Sequence, residues 1–296
     1  MNVLISGATG LIGSALVPEL EANGHTITRL SRSRSGANTV RWDPSAGTIE
    51  GDLEGTEAVV HLAGESIAQG RWSPDKKRRI LDSRVQGTRL VAERIAALST
   101  PPKVMVSTSA VGYYGDRGDE VLTEESTPGE DFLARVCREW EAAAEPARRA
   151  GIRVVHPRLG IVLSPQGGAL GTTLPIFKLG GGGKIGSGRQ WWSWVTLADV
   201  VGSIVHSLTE ETVEGPVNVG SPNPMTNAEY TKVLGKVLGR PTILPLPAPA
   251  ARIMLGEVAD ALLLASQRMQ PAKLEATGYS FRHPRLEGAL RHLLGR

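Results

Sequence analysis

The 296-residue chain holds one cysteine, Cys137, three phenylalanines and four tyrosines. None of its apolar runs approaches the ~18 residues that cross a bilayer. One cysteine excludes an internal disulfide framework, and at this length a hydrophobic core holds a fold without disulfides or metals. Charge of one sign is also lacking: 33 basic residues face 30 acidic ones, net +3, with no basic block of the kind that tracks nucleic acid. The histidines at 25, 61, 156, 206, 283 and 292 show no ligand spacing, so no metal is expected. The amino-terminal stretch has no charged n-region, long apolar core or cleavage site. Together these absences lead us to expect a soluble, cytoplasmic protein that partners neither nucleic acid nor membrane. Internal repeats, low-complexity tracts and heptads are missing too.

What the chain does have is punctuation, 35 glycines and 19 prolines set between periodic segments. Val3-Leu4-Ile5 runs into Gly7, and Leu11, Ile12, Leu16 and Leu20 follow at helical spacing. A strand is expected from His25 to Leu30, another at Thr39 to Trp42, and a doubly buried one at Ala58 to Leu62. Ser73-Pro74 supplies an N-cap and N1 proline for a long helix that Pro101-Pro102 stops. Val104 to Ser107 reads as a strand, Phe132 to Arg149 as one helix, and Val154-Val155 as a further strand. This alternation predicts an α/β fold, a Rossmann-like doubly wound parallel sheet with ligands outside the carboxyl ends of its strands. From Ser164 to Arg189 the glycines crowd together and the chain reads as mobile loop.

The glycines Gly7, Gly10 and Gly13 stand at the first strand-to-helix junction. Glycine there permits positive φ and lets a pyrophosphate reach the helix amides without an intervening Cβ. In this context the spacing points to a dinucleotide, against the alternative of a tight turn with no ligand. An acidic residue about 20 positions on would bind the ribose of NAD, whereas arginine suits a 2′-phosphate. The occupants are Ser31, Arg32, Ser33 and Arg34, so NADP(H) is favoured; the competing reading is a solvated surface arginine.

The stretches GATGLIGS, VVHLAGE, STSAVGYYG, DFLARVCREWE, RLGIVL, GSGRQWWSWVTLADV and GYSFRHPRLEGAL together resemble the extended short-chain dehydrogenase/reductases. Within them they are most similar to the atypical branch called epimerase family or nucleoside-diphosphate-sugar epimerase-like proteins. The resemblance implies a Rossmann domain over 1–163 and 192–221, and a small mixed substrate lobe over 164–191 and 222–296. It implies that NADP(H) is held by Gly7, Thr9, Gly10, Leu11, Ile12, Gly13, Ser31, Arg32 and the turn Leu62, Ala63, Gly64, Glu65. Asp43 would lie near the adenine and Pro157-Arg158 on the nicotinamide side. Two positions depart from that family. Leu133 and Cys137 stand where active members carry the Tyr-x-x-x-Lys pair, and Trp192 stands where nucleotide-sugar epimerases place a diphosphate-binding arginine. Arg158, Arg189 or Arg282 would have to supply charge from elsewhere.

Ser109, Tyr113 and Tyr114 are the candidate proton donors, each with a packing or backbone-bonding role as its alternative. Cys137, in an amphipathic helix, reads as inert. Trp191, Trp192 and Trp194 either wall an apolar substrate pocket, the favoured reading, or anchor the loop before them. Two functions compete: an NADP(H)-dependent oxidoreductase or epimerase-like enzyme, and a non-catalytic NADP(H)-binding sensor or scaffold.

Overall fold

The computed structural model describes every residue except Arg34, Ser35 and Ala37. Arg34 of the expected 2′-phosphate segment therefore lies outside the described residues. The strands are β1 (Asn2–Ser6), β2 (Thr26–Ser31), β3 (Thr39–Asp43), β4 (Thr48–Glu50), β5 (Ala58–His61), β6 (Val104–Ser107), β7 (Ser109–Ala110), β8 (Val121–Leu122), β9 (Arg153–Leu159), β10 (Ile161–Leu163), β11 (Trp191–Trp192), β12 (Trp194–Thr196), β13 (Gly215–Val219), β14 (Met225–Thr226) and β15 (Arg268–Met269). The main sheet runs β13-β9-β6-β5-β1-β2-β3-β4, with β7 continuing alongside β9. Every pair in it is parallel except β3 with β4.

Helices cover both faces, as a sheet buried on both sides requires. On one side α1 (Leu11–Ala22) and, later in the chain, Leu197–Thr209 press Leu16, Leu20, Val200 and Ile204 onto Val3, Ile5, Val60, Val106 and Val217. On the other, α2 (Pro74–Ala96), α3 (Phe132–Ala142) and α4 (Glu145–Arg149) cover the sheet, with Val91, Ile95 and Ala147 meeting Leu4, Val59, Met105 and Val154. Each such aliphatic side chain contributes ~1.5–3 kcal/mol on leaving water. Ser73 caps α2 by accepting from the Lys76 amide, with Pro74 at N1.

Three local expectations need correcting. The helix from Phe132 is broken: α3 ends at Ala142 and α4 restarts at Glu145, where Pro146 has no N–H to continue the ladder. The strand read at Val154-Val155 extends to Leu159 and contains Pro157. That proline is tolerated because β6 stops pairing at Val106↔Val155 and β7 resumes at Ser109↔Arg158, so no bond is owed at Pro157 on that side. The segment read as loop contains α5 (Gly168–Lys178), whose Leu170, Leu174 and Phe177 are buried with Leu163, Trp194, Tyr230 and Leu234.

Candidate dinucleotide cleft and the buried network beside it

Strands β1 and β5 are neighbours from which the chain winds off in opposite directions, and a crevice opens at their carboxyl ends. Each glycine of the turn after β1 is there for a different reason. Gly7 has φ +72°, and a Cβ on it would lie 2.9 Å from Ala63 N and from Leu62 C in the turn after β5. Gly13 is buried, and its Cβ would lie 2.7 Å from Ala8 Cα and closer still to the Gly7 carbonyl oxygen. Packing alone demands both. Gly10 is exposed, and its Cβ would meet just the Gly7 oxygen, at 3.4 Å. It is the N-cap of α1, with no side-chain cap and no acidic residue in the first turn. The amide dipoles of α1 therefore point out through a gap that a side chain would fill, a cradle fitted to an anion.

Sequence reading missed what holds the two turns together. Ser6 Oγ accepts from the amides of Leu62 (3.2 Å) and Ala63 (3.3 Å), which turns its own proton to His61 Nδ1 at 2.7 Å. His61 is 0% exposed and packs edge-on against Trp42, and burial pulls its pKa from 6.5 down to about 4. A depressed base stabilises the fold fully above its ordinary pKa and loses that contribution as pH falls toward the folded value. Urea unfolding of wild type should therefore lose about 3 kcal/mol through His61 between pH 7.5 and pH 4. In His61→Gln this part of the pH dependence should vanish; an unchanged slope would contradict a neutral, buried His61.

The other residues expected around a dinucleotide fall as follows. Thr9 is exposed, while Leu11 and Ile12 are half-buried. Ser31 ends β2, and Arg32 after it is exposed. Asp43 at the end of β3 accepts from the amides of Ser45 (2.9 Å) and Ala46 (3.2 Å), capping the turn into β4. Glu65 pairs with Lys76 Nζ at 2.6 Å, and that hydrogen bond holds its pKa below the usual range, while its amide donates to Ser83.

Beyond β6 the candidate donors enter a buried network. Ser109 Oγ donates to Glu141 Oε1 at 2.7 Å. Glu141 receives Arg158 in a two-pronged pair, Nε to Oε1 at 2.8 Å and Nη2 to Oε2 at 2.9 Å. Arg158 Nη1 donates to the Tyr114 hydroxyl at 3.0 Å, which donates to Asn218 Oδ1 at 2.6 Å, and the Asn218 backbone N–H donates to Glu124 Oε1. Tyr114 is 0% exposed and Arg158 is 2% exposed. Burial pushes the Tyr114 phenol up to about 12 although Arg158 works the other way. Tyr114 has no route to a substrate, which corrects the expectation that it donates a proton there, and the Arg158 guanidinium is spent inside the network. The Arg158 guanidinium lies 3.4 Å over the ring of half-buried Tyr113, whose hydroxyl has no partner among the described residues. Cys137 is buried and its thiol pushed up to about 12, burial being the main cause.

Leu133 borders a cavity of about 330 Å³ whose other walls include Trp72, Phe132, Arg252, Asp260 and Leu264. The tryptophans expected to wall a pocket do not line it. Trp194 is 0% exposed in the core, Trp192 packs on Tyr230, and Trp191 donates to Asp119 beneath Arg268. Neither Arg189, exposed, nor Arg282, paired with Glu19, points into it.

A parallel sheet wound both ways from β1, with an uncapped helix start at the point of reversal, is the fold of the nicotinamide-dinucleotide-binding proteins. The family model described as the NAD dependent epimerase/dehydratase family matches residues 3–220, and one described as a domain of unknown function matches 246–293. The chain belongs to the NAD dependent epimerase/dehydratase family, in the group named epimerase family proteins. It is 42% identical to epimerase family protein Mb2239 of Mycobacterium bovis over 97% of this chain and 96% of that one. It is similar to the crystal structure of human epimerase family protein SDR39U1 with NADPH, at a TM-score of 0.93 and 36% identity over the whole of both chains. A UDP-N-acetylglucosamine 4-epimerase from Bacillus cereus shares the fold at a TM-score of 0.77 and 18% identity, over 99% of this chain and 98% of that one.

Proposed function

We propose that this protein binds NADP(H) at the carboxyl ends of β1 and β5 and acts as an epimerase-like oxidoreductase on a small carbonyl or alcohol in the cavity beside Leu133. The observation that carries the reading is Gly10, an exposed glycine with almost no packing need, capping a helix whose amides face outward. The human relative crystallised with NADPH supports the choice of cofactor. So does the carboxylate-free end of β2, where Arg32 stands. In this reading residues 1–163 and 192–221 carry the cofactor, and 164–191 and 222–296 close over the substrate.

The bound cofactor would supply hydride transfer. The chain's own residues orient it and exclude water: the Gly7–Gly13 turn takes the diphosphate, Arg32 the 2′-phosphate, and the Leu62–Glu65 turn lies along the cofactor. Ser109 and Tyr114 give their protons to Glu141 and Asn218 inside the protein, which leaves Tyr113 or water to move a proton at the substrate oxygen. Turnover is slow in this account, since positioned acid–base help is worth about 10²–10⁴ in rate.

Arg32→Ala should weaken NADPH about 10- to 100-fold and leave NADH unchanged, read by quenching of intrinsic fluorescence. Equal affinities before and after would remove the 2′-phosphate assignment. NADPH oxidation against aldehydes, ketones and quinones tests the activity, with Tyr113→Phe as the control. No turnover with any of them, in a protein that binds NADPH, would favour a non-catalytic sensor.

A further inference from the structure

Arg84 lies on α2. It is half-buried, and its environment differs from those of Arg158 and Arg153. Arg158 is neutralised by Glu141, and Arg153 spends both Nη groups on the carbonyls of Ser207, Leu208 and Val213. Arg84 bonds through Nη1 alone, to the carbonyls of Glu65 (2.9 Å) and Ile80 (3.2 Å), with its guanidinium 4.9 Å from the centre of the Trp140 ring. Its Nε and Nη2 have no partner among the described residues, and it makes no ion pair there. A half-buried guanidinium with free N–H groups and no carboxylate partner is a ready donor to ligand oxygen atoms. Burial pulls its pKa down, with Cys137 and Glu65 opposing.

Its position is equally specific. A Cβ on Gly64 would sit 3.2 Å from the guanidinium carbon and 3.4 Å from each Nη. Gly64 follows β5, on the side of the cleft away from β2 and Arg32, and the Cys137 beside Arg84 belongs to α3, which packs against β7. Arg84 thus lies on the α3 side of the turn after β5, away from β2, and is a fixed cation there.

Resting on the NADP(H) reading above, we propose that Arg84 is a cofactor-positioning residue whose free N–H groups take oxygen atoms of the nicotinamide half of the bound dinucleotide. Glu65 O, Ile80 O and Trp140 hold the guanidinium before the ligand arrives, so little order is lost on binding.

The test compares NADPH with adenosine 2′,5′-bisphosphate, which has the adenosine end and its 2′-phosphate but no nicotinamide half. Arg84→Met, which retains the apolar stem on Trp140, should bind NADPH at least tenfold more weakly and the bisphosphate within about twofold of wild type. Arg84→Lys should recover part of the loss, and Arg32→Ala should differ from Arg84→Met by weakening both ligands. Circular dichroism and melting temperature confirm that each variant is folded, and Arg84→Lys, which keeps the charge, remains readable should Arg84→Met fail to fold. Unchanged NADPH affinity in Arg84→Met would overturn the proposal. So would equal losses for both ligands, the mark of a residue that merely props up the Leu62–Glu65 turn. Wild type binding neither ligand would refute the NADP(H) reading itself.

Discussion

Gly10→Ala should melt within about a degree of wild type yet bind NADPH about 100-fold more weakly, whereas Gly13→Ala should lose stability first. The added Cβ at Gly10 meets one backbone oxygen, at 3.4 Å. Its φ of −76° suits any residue, and the modest N-cap preference for glycine over alanine is offset by the smaller entropy of the unfolded alanine chain. What the methyl does fill is the approach to the α1 amides, and a 100-fold loss corresponds to about 2.7 kcal/mol of binding. At Gly13 the same methyl runs into Ala8 Cα, at 2.7 Å, and into the Gly7 oxygen, so α1 has to shift away from its own entry turn. Overpacking of this kind costs 1–3 kcal/mol or more, which lowers the melting temperature by several degrees. Calorimetric melting and NADPH titration of the two variants separate ligand space from packing space. Equal behaviour of both would contradict the assignment of Gly10 to a ligand.

The second large effect is expected at Glu141. Glu141→Ala leaves the Arg158 guanidinium, 2% exposed, without its carboxylate and removes the acceptor of Ser109. Stranding a buried charge typically costs 3–5 kcal/mol, so the urea midpoint should fall sharply. The double variant Glu141→Leu with Arg158→Met removes both charges and should recover much of that loss, because the pair's attraction largely repays its own desolvation. Tyr114 then keeps Asn218 as its acceptor. A double variant no more stable than Glu141→Ala would show that the network holds the sheet end by geometry and not by charge balance.

These two regions also mark how far the sequence could be read. The strand, turn and helix around Gly7, Gly10 and Gly13 were legible because everything that decides them lies within twenty residues: an apolar run, a residue needing positive φ, and a 3.6-residue period. The sheet class followed from repeating the same pattern. The segment 164–189 was misread because glycine clusters outweighed Leu170, Leu174 and Phe177, whose spacing is helical and whose burial depends on Trp194 and Tyr230 elsewhere in the chain. The tryptophans misled for a related reason, since an indole fills core and pocket alike.

The chemistry beside the cleft was the least legible part. Ser109, Glu141, Arg158 and Asn218 span more than a hundred positions and meet because β7, α3, β9 and β13 converge at one end of the sheet. No local spacing announces such a meeting. Ser6 and His61 escaped notice because a histidine at the end of an apolar run reads as one more buried residue. Nothing in the spacing around Arg84 marks it, because the room for its guanidinium is left by Gly64, twenty positions away and on another element.

Isothermal titration of the purified wild-type protein with NADPH, with NADH run alongside, tests the central claim most directly. One NADPH should bind per chain, with NADH at least tenfold weaker. Heats indistinguishable from dilution for both nucleotides would contradict the account, leaving the glycine turn as a packing device and the cleft without its ligand.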